Sequence, residues 1–175
     1  MSSIHALQSN VYVRRPQLHD ETDFLAMTYA SRILHSPWVS PPLTKKQFEI
    51  YFHSRNQTSE DAFFLFHQNS HQLIGVINLS LITRGLLDNA YLSYYVHIDY
   101  SGQGYMTEGL LQVIDIVFNH MHLHRLEANI QPHNLSSKKM VKRCGFRYEG
   151  FSPKLINVQG IWRDHERWAL LNDNY

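Results

Sequence analysis

Hydrophobic and polar positions change period several times along the chain, and each change marks an element. "NVYVRRP" sets Val11 and Val13 against polar neighbours, the two-residue alternation of a strand, and Pro16 ends it. From Asp20 the apolar positions move to three- and four-residue steps (Phe24, Leu25, Met27, Ala30, Ile33). That spacing predicts an amphipathic helix with Asp20 as its N-cap. "SPWVSPP" holds three of the six prolines and predicts an irregular segment. A second helix is expected from near Thr44, with Phe48, Tyr51 and Phe52 on one side. "AFFLFHQNSHQLIGVINLSLI" reads as a hairpin turning at Asn69 and Ser70, and "AYLSYYVHI" as a fourth strand after the turn "RGLLDN".

"YSGQGYMTEG" then places Gly102 and Gly104 one residue apart between that strand and an apolar helix. The buried stripe of this helix is expected at Leu110, Leu111, Val113, Ile114, Val117 and Phe118. "RLEANI" predicts a fifth strand. "PHNLSSKKMVKRCGF" predicts a short helix from Asn134 with Gly145 at its C-terminal cap. "RYEGFSPKLI" and "GIWRDHERWALL" read as two closing strands around a turn at Asn157 to Gly160. The order β-α-α-β-β-β-α-β-α-β-β makes an α/β chain of seven strands and four helices, expected to fold as one domain over residues 1–175.

Composition narrows the function classes. Hydrophobic content of 43% and charged content of 18% argue for a globular chain and against long disorder. A net charge of +1 gives no global footprint for nucleic acid. The 12 histidines are scattered without ligand spacing, so no metal site is expected. A single cysteine, Cys144, excludes an internal disulfide and fits a reducing compartment. "MSSIHALQSN" lacks the basic and apolar regions of a secretory leader, and no apolar run is long enough to span a membrane. A cytoplasmic protein is expected.

The glycine pair carries the first chemical signal. A dinucleotide fingerprint would need glycine where Thr107 stands, and a P-loop would need a following Gly-Lys-Ser/Thr. Two readings remain on these residues alone: a plain turn, or a cradle whose N–H groups and helix dipole hold a phosphate.

"VHIDYSGQGYM" followed some thirty residues on by "PHNLSSKKMVKRCGFRYEG" resembles the core of the GCN5-related N-acetyltransferases (GNAT). "QLIGVINLS", "RGLLDNAYLSYYV", "SPWVSPP" and "GIWRDHERWAL" resemble the RimJ/RimL branch, the ribosomal-protein N-terminal acetyltransferases, and the RimJ type in particular. The resemblance runs from about Arg14 to Leu171. It implies the GNAT fold, a mostly antiparallel mixed sheet whose fourth and fifth strands splay apart to form the cofactor site. It implies acetyl-CoA as cofactor. The pyrophosphate would lie on the backbone of Gly102, Gln103, Gly104, Tyr105, Met106 and Thr107, and the pantetheine arm along Val96, His97 and Ile98. Ser101 departs from the Arg or Gln usual in the motif, and Met106 stands where a small residue is common.

Acetyl transfer to an amine needs a neutral amine, a nearby thioester and a place for negative charge on the carbonyl oxygen. The last role falls to a backbone N–H near Val96. The family pattern assigns Asn134 to cofactor or loop contacts and lets Ser137 protonate the leaving thiolate; an N-cap and a first-turn residue are the plain alternatives. "AYLSYYV" has no acid to serve as base, which leaves a water relay or Tyr94. An α-amine, with a reference pKa near 8, asks about 3 kcal/mol less of a base than a lysine near 10.4. The missing carboxylate therefore favours a protein N-terminus, such as that of a ribosomal protein, as acceptor. Trp38, Trp162 and Asp164 are expected to border the acceptor. The alternatives are a small amine (antibiotic, polyamine or peptide-nucleotide) or a non-catalytic coenzyme A-binding ribosome-assembly factor. The basic residues Arg125, Lys138, Lys139, Lys142, Arg143 and Arg147 would serve RNA or the cofactor's 3′-phosphate. A monomer or homodimer is expected, meeting nucleic acid only through the ribosome.

Overall fold

The computed structural model describes residues 9–55 and 57–173. The leader-like or other character of the first eight residues therefore lies outside the described residues. Seven strands, β1 (Val11–Arg14), β2 (Asp61–His67), β3 (Leu73–Thr83), β4 (Asn89–Val96), β5 (Arg125–Ile130), β6 (Arg147–Val158) and β7 (Ile161–Leu171), form one sheet in the order β1-β2-β3-β4-β5-β7-β6. Every neighbouring pair is antiparallel except β4 with β5. The expected mixed, mostly antiparallel sheet is thus present.

Both faces of the sheet are covered. β2 is buried at six successive positions, so its two-residue period feeds two cores at once. Phe63 and Leu65 join Ile74, Ile77 and Leu79 beneath α4 (Tyr105–Asp115) and α5 (Leu135–Arg143). Ala62, Phe64 and Phe66 join Val76 and Tyr95 beneath α1 (Glu21–Ala30) and α3 (Lys45–Ser54). The second core is aromatic. Phe24 sits 5.0 Å from Phe48 and stacks on Phe64 at 5.3 Å, contacts worth about 0.5–1.5 kcal/mol each beyond area burial.

Five α-helices form among the described residues where four helices were expected, because the first divides at Ser31 into α1 and α2 (Arg32–His35). The Ser31 hydroxyl accepts the N–H of Ile98 at 2.9 Å, tying this break to the end of β4. The buried face runs Phe24, Met27, Thr28, Ser31 and His35. Ala30 and Ile33, expected on it, face solvent. An apolar count misses this face because three of these five residues are polar. Asp20 does not cap α1 either. Its carboxylate accepts both Arg14 guanidinium nitrogens, at 2.6 and 2.8 Å, and the Gln17 N–H at 2.7 Å. Burial pushes its pKa up, but these donors hold it below the ordinary aspartate value. In α4 the buried stripe is Met106, Gly109, Leu110 and Val113, continued by Val117, while Leu111 is exposed. No helix among the described residues is long and apolar enough to cross a membrane.

Gly109 lets α4 lie close on the sheet, since a Cβ there would stand 2.5 Å from Leu65 Cδ1 and 3.1 Å from Cδ2. Gly109→Ala is expected to give a net loss of about 1 kcal/mol. Overpacking costs about 1–3 kcal/mol, and the alanine's helix propensity returns about 1 kcal/mol. Urea denaturation should show the Gly109→Ala/Leu65→Val double variant losing less than the sum of its singles; strict additivity would place the crowding elsewhere.

Candidate active site

The parallel ladder between β4 and β5 runs from Asn89↔Arg125 to Leu92↔Ala128 and stops there, although β4 continues to Val96 and β5 to Ile130. The strands part beyond that point. The His97 N–H donates to the Ile74 carbonyl at 2.7 Å, which fixes the phase of the β3–β4 ladder. Alternate residues of an antiparallel strand turn their backbone groups the other way, so Tyr94 and Val96 present theirs to the opening. Of the three residues expected along a pantetheine arm, only Val96 turns its backbone groups into the opening. The N–H of His97 is spent on β3 and that of Ile98 on Ser31. The Val96 carbonyl accepts from His35 Nε2 at 2.9 Å. A carbonyl can only accept, so Nε2 carries the proton, and burial keeps this imidazole's pKa below its ordinary value.

On one side of the opening lies a cleft of about 410 Å³, with Val96, Ser101, Gly102, Gly104, Met106 and Thr107 on one wall and Asn134, Ser137, Lys139 and Arg143 on the other. Gly102 and Gly104 have φ of +76° and +90°, and a Cβ at either would meet nothing within 4 Å. The N–H groups of Gly102, Gln103, Gly104, Tyr105 and Met106 have no acceptor among the described residues, while that of Thr107 turns back to the Gly104 carbonyl at 2.9 Å. Free amides at a helix N-terminus, with open space before them, suit a pyrophosphate. Only the backbone of Gln103 and Tyr105 is available for this. The Gln103 side chain donates to the Asp99 carbonyl, and Tyr105 packs on His67 and Tyr100. The basic residues divide rather than form one patch. Lys139 and Arg143 line the cleft, offering cations on the wall opposite Ser101. Lys138 pairs with Glu166 at 2.9 Å, and Arg125 with Glu127 and Glu149.

Where the strands part, a small cavity of about 70 Å³ is walled by Trp38, Tyr94, Asn129, Asn134, Ser137 and His165 among others. Tyr94 and Ser137 hydrogen-bond hydroxyl to hydroxyl. Asn134 Oδ1 accepts the Ser137 N–H at 3.2 Å, so the capping arrangement holds Ser137 facing this cavity. Burial drives the Tyr94 phenol well above its ordinary value, so it keeps its proton at neutral pH. Burial also pushes the Cys144 thiol up to about 11, which leaves little thiolate at pH 7.

On the far side a groove of about 1000 Å³ opens between the Trp38–Pro42 loop and the β6–β7 hairpin. Arg55, Arg125, Arg167 and Glu127 are its charged lining. Trp38 borders all three spaces. Trp162 and Asp164 line none of them. Trp162 is 59% exposed, and Asp164 accepts the Lys154 N–H at 2.8 Å across the hairpin. They occupy the wrong phase of β7. His165, one step on, is buried and borders both the cavity and the groove. It shares the parity of the buried Ala169, but the large apolar residues of "WRDHERWALL", Trp162, Trp168 and Leu170, stand at the other parity, so no apolar alternation marks it. His35, Asn129 and Arg167 were also missed, and no motif marks them.

Residues 10–147 match the acetyltransferase (GNAT) domain. The chain is 34% identical over 128 residues to the probable N-acetyltransferase YjcK of Bacillus subtilis, covering 73% of this chain and 71% of that protein. It is 36% identical over 119 residues to the ribosomal protein uS5-alanine N-acetyltransferase of Escherichia coli, covering 68% of this chain and 61% of that enzyme. The fold superposes on the ribosomal-protein-S5-alanine acetyltransferase of Vibrio fischeri with a TM-score of 0.83 at 26% identity, covering 95% and 96% of the two chains. It superposes on Mycobacterium smegmatis RimJ in complex with CoA-disulfide at 0.85 and 23% identity, covering 94% and 83%, a likeness of fold. With the family pattern spread over most of its length and over both walls of the cleft, the chain belongs to the GNAT acetyltransferases and is an N-acetyltransferase that uses acetyl-CoA.

Proposed function

We propose that this enzyme acetylates the α-amine of a protein N-terminus. The observation that carries the reading is the charge of the groove. Three arginines and one glutamate line it, and that glutamate is held by Arg125 Nε at 2.9 Å. A polyamine needs carboxylates to replace the water around its several ammonium groups, and this groove has none to spare. A peptide N-terminus brings one amine and a backbone, which a broad, open groove between a loop and a hairpin accommodates. The likeness to uS5-alanine acetyltransferases points the same way.

Bound acetyl-CoA supplies the thioester. The free amides of Gly102, Gln103, Gly104, Tyr105 and Met106, with Lys139 and Arg143, would hold its phosphates, and the backbone of Val96 its arm. The Val96 N–H, turned into the opening, is placed for the charge that develops on the carbonyl oxygen. Ser137, backed by Tyr94, would supply its hydroxyl proton to the leaving thiolate.

At pH 7 a peptide with a free α-amine should be acetylated at least about tenfold faster than the same peptide blocked at its N-terminus but carrying lysine, and faster than spermidine, as followed by thiol release. Lysine or spermidine in the lead would overturn the acceptor assignment. Ser137→Ala should lower kcat by about ten- to a hundredfold with little change in KM for acetyl-CoA; a loss under twofold would leave Ser137 a helix-start residue. Gly104→Ala should weaken coenzyme A binding at least about tenfold by calorimetry, because its Cβ enters the cradle. Gly85→Ala is the control. Gly85 has φ +88° and equally open space, so it carries the same backbone strain away from the cleft. Equal effects of the two would mean that strain alone is being measured.

A further inference from the structure

We propose that His165 is the general base that takes the proton from the acceptor amine. The inference rests on the acetyl-transfer reading above but not on which amine is the acceptor. His165 is 3% exposed, yet it borders both the cavity at the parting of β4 and β5 and the groove beyond. Its Nδ1 lies 2.9 Å from the Arg163 carbonyl. That carbonyl can only accept, so Nδ1 holds the proton and Nε2 is left with a lone pair. Nε2 has no hydrogen-bond partner among the described residues. Asn129 Oδ1, on the same two walls, is a second buried acceptor without a donor. Two unfilled acceptors where the cavity meets the groove call for a donor-rich group, and an amine is one.

The Tyr94–Ser137 pair stands on the cleft side of the same cavity. Acid and base thus face one small space from opposite sides. As the bond between nitrogen and the acetyl carbon forms, His165 Nε2 takes one proton from the nitrogen. As the carbon–sulfur bond breaks, Ser137 gives one proton to the sulfur. His165 then releases its proton to water in the groove, and the hydroxyl pair recovers one from solvent, so the protons balance. Burial disfavours the imidazolium and lowers the His165 pKa, against the pull of the Arg163 carbonyl and Asp164, so the ring is neutral and ready at pH 7. The charged and titratable groups that share its cavity and groove are Tyr91, Tyr94 and Tyr95 from β4, Arg125 and Glu127 from β5, Tyr51 and Arg55 at the end of α3, and Arg167 on its own strand, where Asp164 also acts on it.

His165→Asn keeps a side-chain N–H for the Arg163 carbonyl but removes the base. On whichever amine the wild-type enzyme acetylates, it should lower kcat/KM by about a hundredfold or more at pH 7 while leaving the coenzyme A Kd within twofold. Once the pH falls below the His165 pKa, which burial lowers beneath the ordinary histidine value, the wild-type log(kcat/KM) should fall one unit per pH more steeply than that of the variant, because the base is lost as His165 protonates. Nitrogen-15 NMR of the wild-type protein should show His165 as the Nδ1–H tautomer, titrating below its ordinary value. A variant within threefold of wild type, parallel pH profiles, or an Nε2–H tautomer would each overturn the proposal. The tautomer decides the matter even if the variant does not fold. A wrong acceptor class shows in the wild-type enzyme alone, whereas a wrong base shows only between wild type and variant.

Discussion

The site depends on one interrupted ladder. After Leu92 and Ala128 the bonds between β4 and β5 stop, and every later feature uses the space this leaves. Two strands part only if each is held from its other side, and here each is. β4 stays bonded to β3 through His97 and Ile74, while β5 stays bonded to β7 as far as Ile130↔Glu166. Parting exposes the backbone groups of Tyr94 and Val96, which need partners. His35 satisfies the Val96 carbonyl, and Ser31 anchors the Ile98 amide just beyond. The short turn of α2 is therefore part of the opening's frame, which explains the polar face that α1 and α2 bury.

The opening sorts chemistry by side. The cleft side offers unfilled N–H groups and cations, the requirements of a phosphorylated donor. The groove side offers arginines, a single paired acid and unfilled acceptors, which suit an amine attached to something uncharged or anionic. The hydroxyl pair of Tyr94 and Ser137 lies between them. Its phenol, raised by burial, keeps its proton and so offers no base for the amine. An imidazole held neutral by burial is a modest base, adequate for an α-amine and poorly matched to a lysine side chain.

The sheet, the glycine pair and helices α4 and α5 were legible because each rests on local chemistry: a two-residue period, a positive-φ pair before an apolar stripe, an asparagine cap and a glycine stop. The failures share a different cause. Asp20 looked like a cap until tertiary structure supplied Arg14 as a stronger partner. Ile33 fitted a helical period that Ser31 interrupts. Trp162 and Asp164 came from the right strand in the wrong phase, since adjacent residues of a strand face opposite sides and the motif alone does not say which is inward. His35 and Asn129 become functional candidates only through spaces assembled by distant elements.

The central claim is that cleft, cavity and groove form one continuous path from acetyl donor to α-amine. A conjugate of coenzyme A joined through an acetyl-length linker to the α-nitrogen of a peptide would occupy the whole path. Its affinity by calorimetry should exceed that of coenzyme A by about a hundredfold or more, because the second half binds without a separate association. The same peptide attached through a lysine side chain should gain much less. An α-linked conjugate that binds no more tightly than coenzyme A would mean that the two spaces do not meet at the parting of β4 and β5.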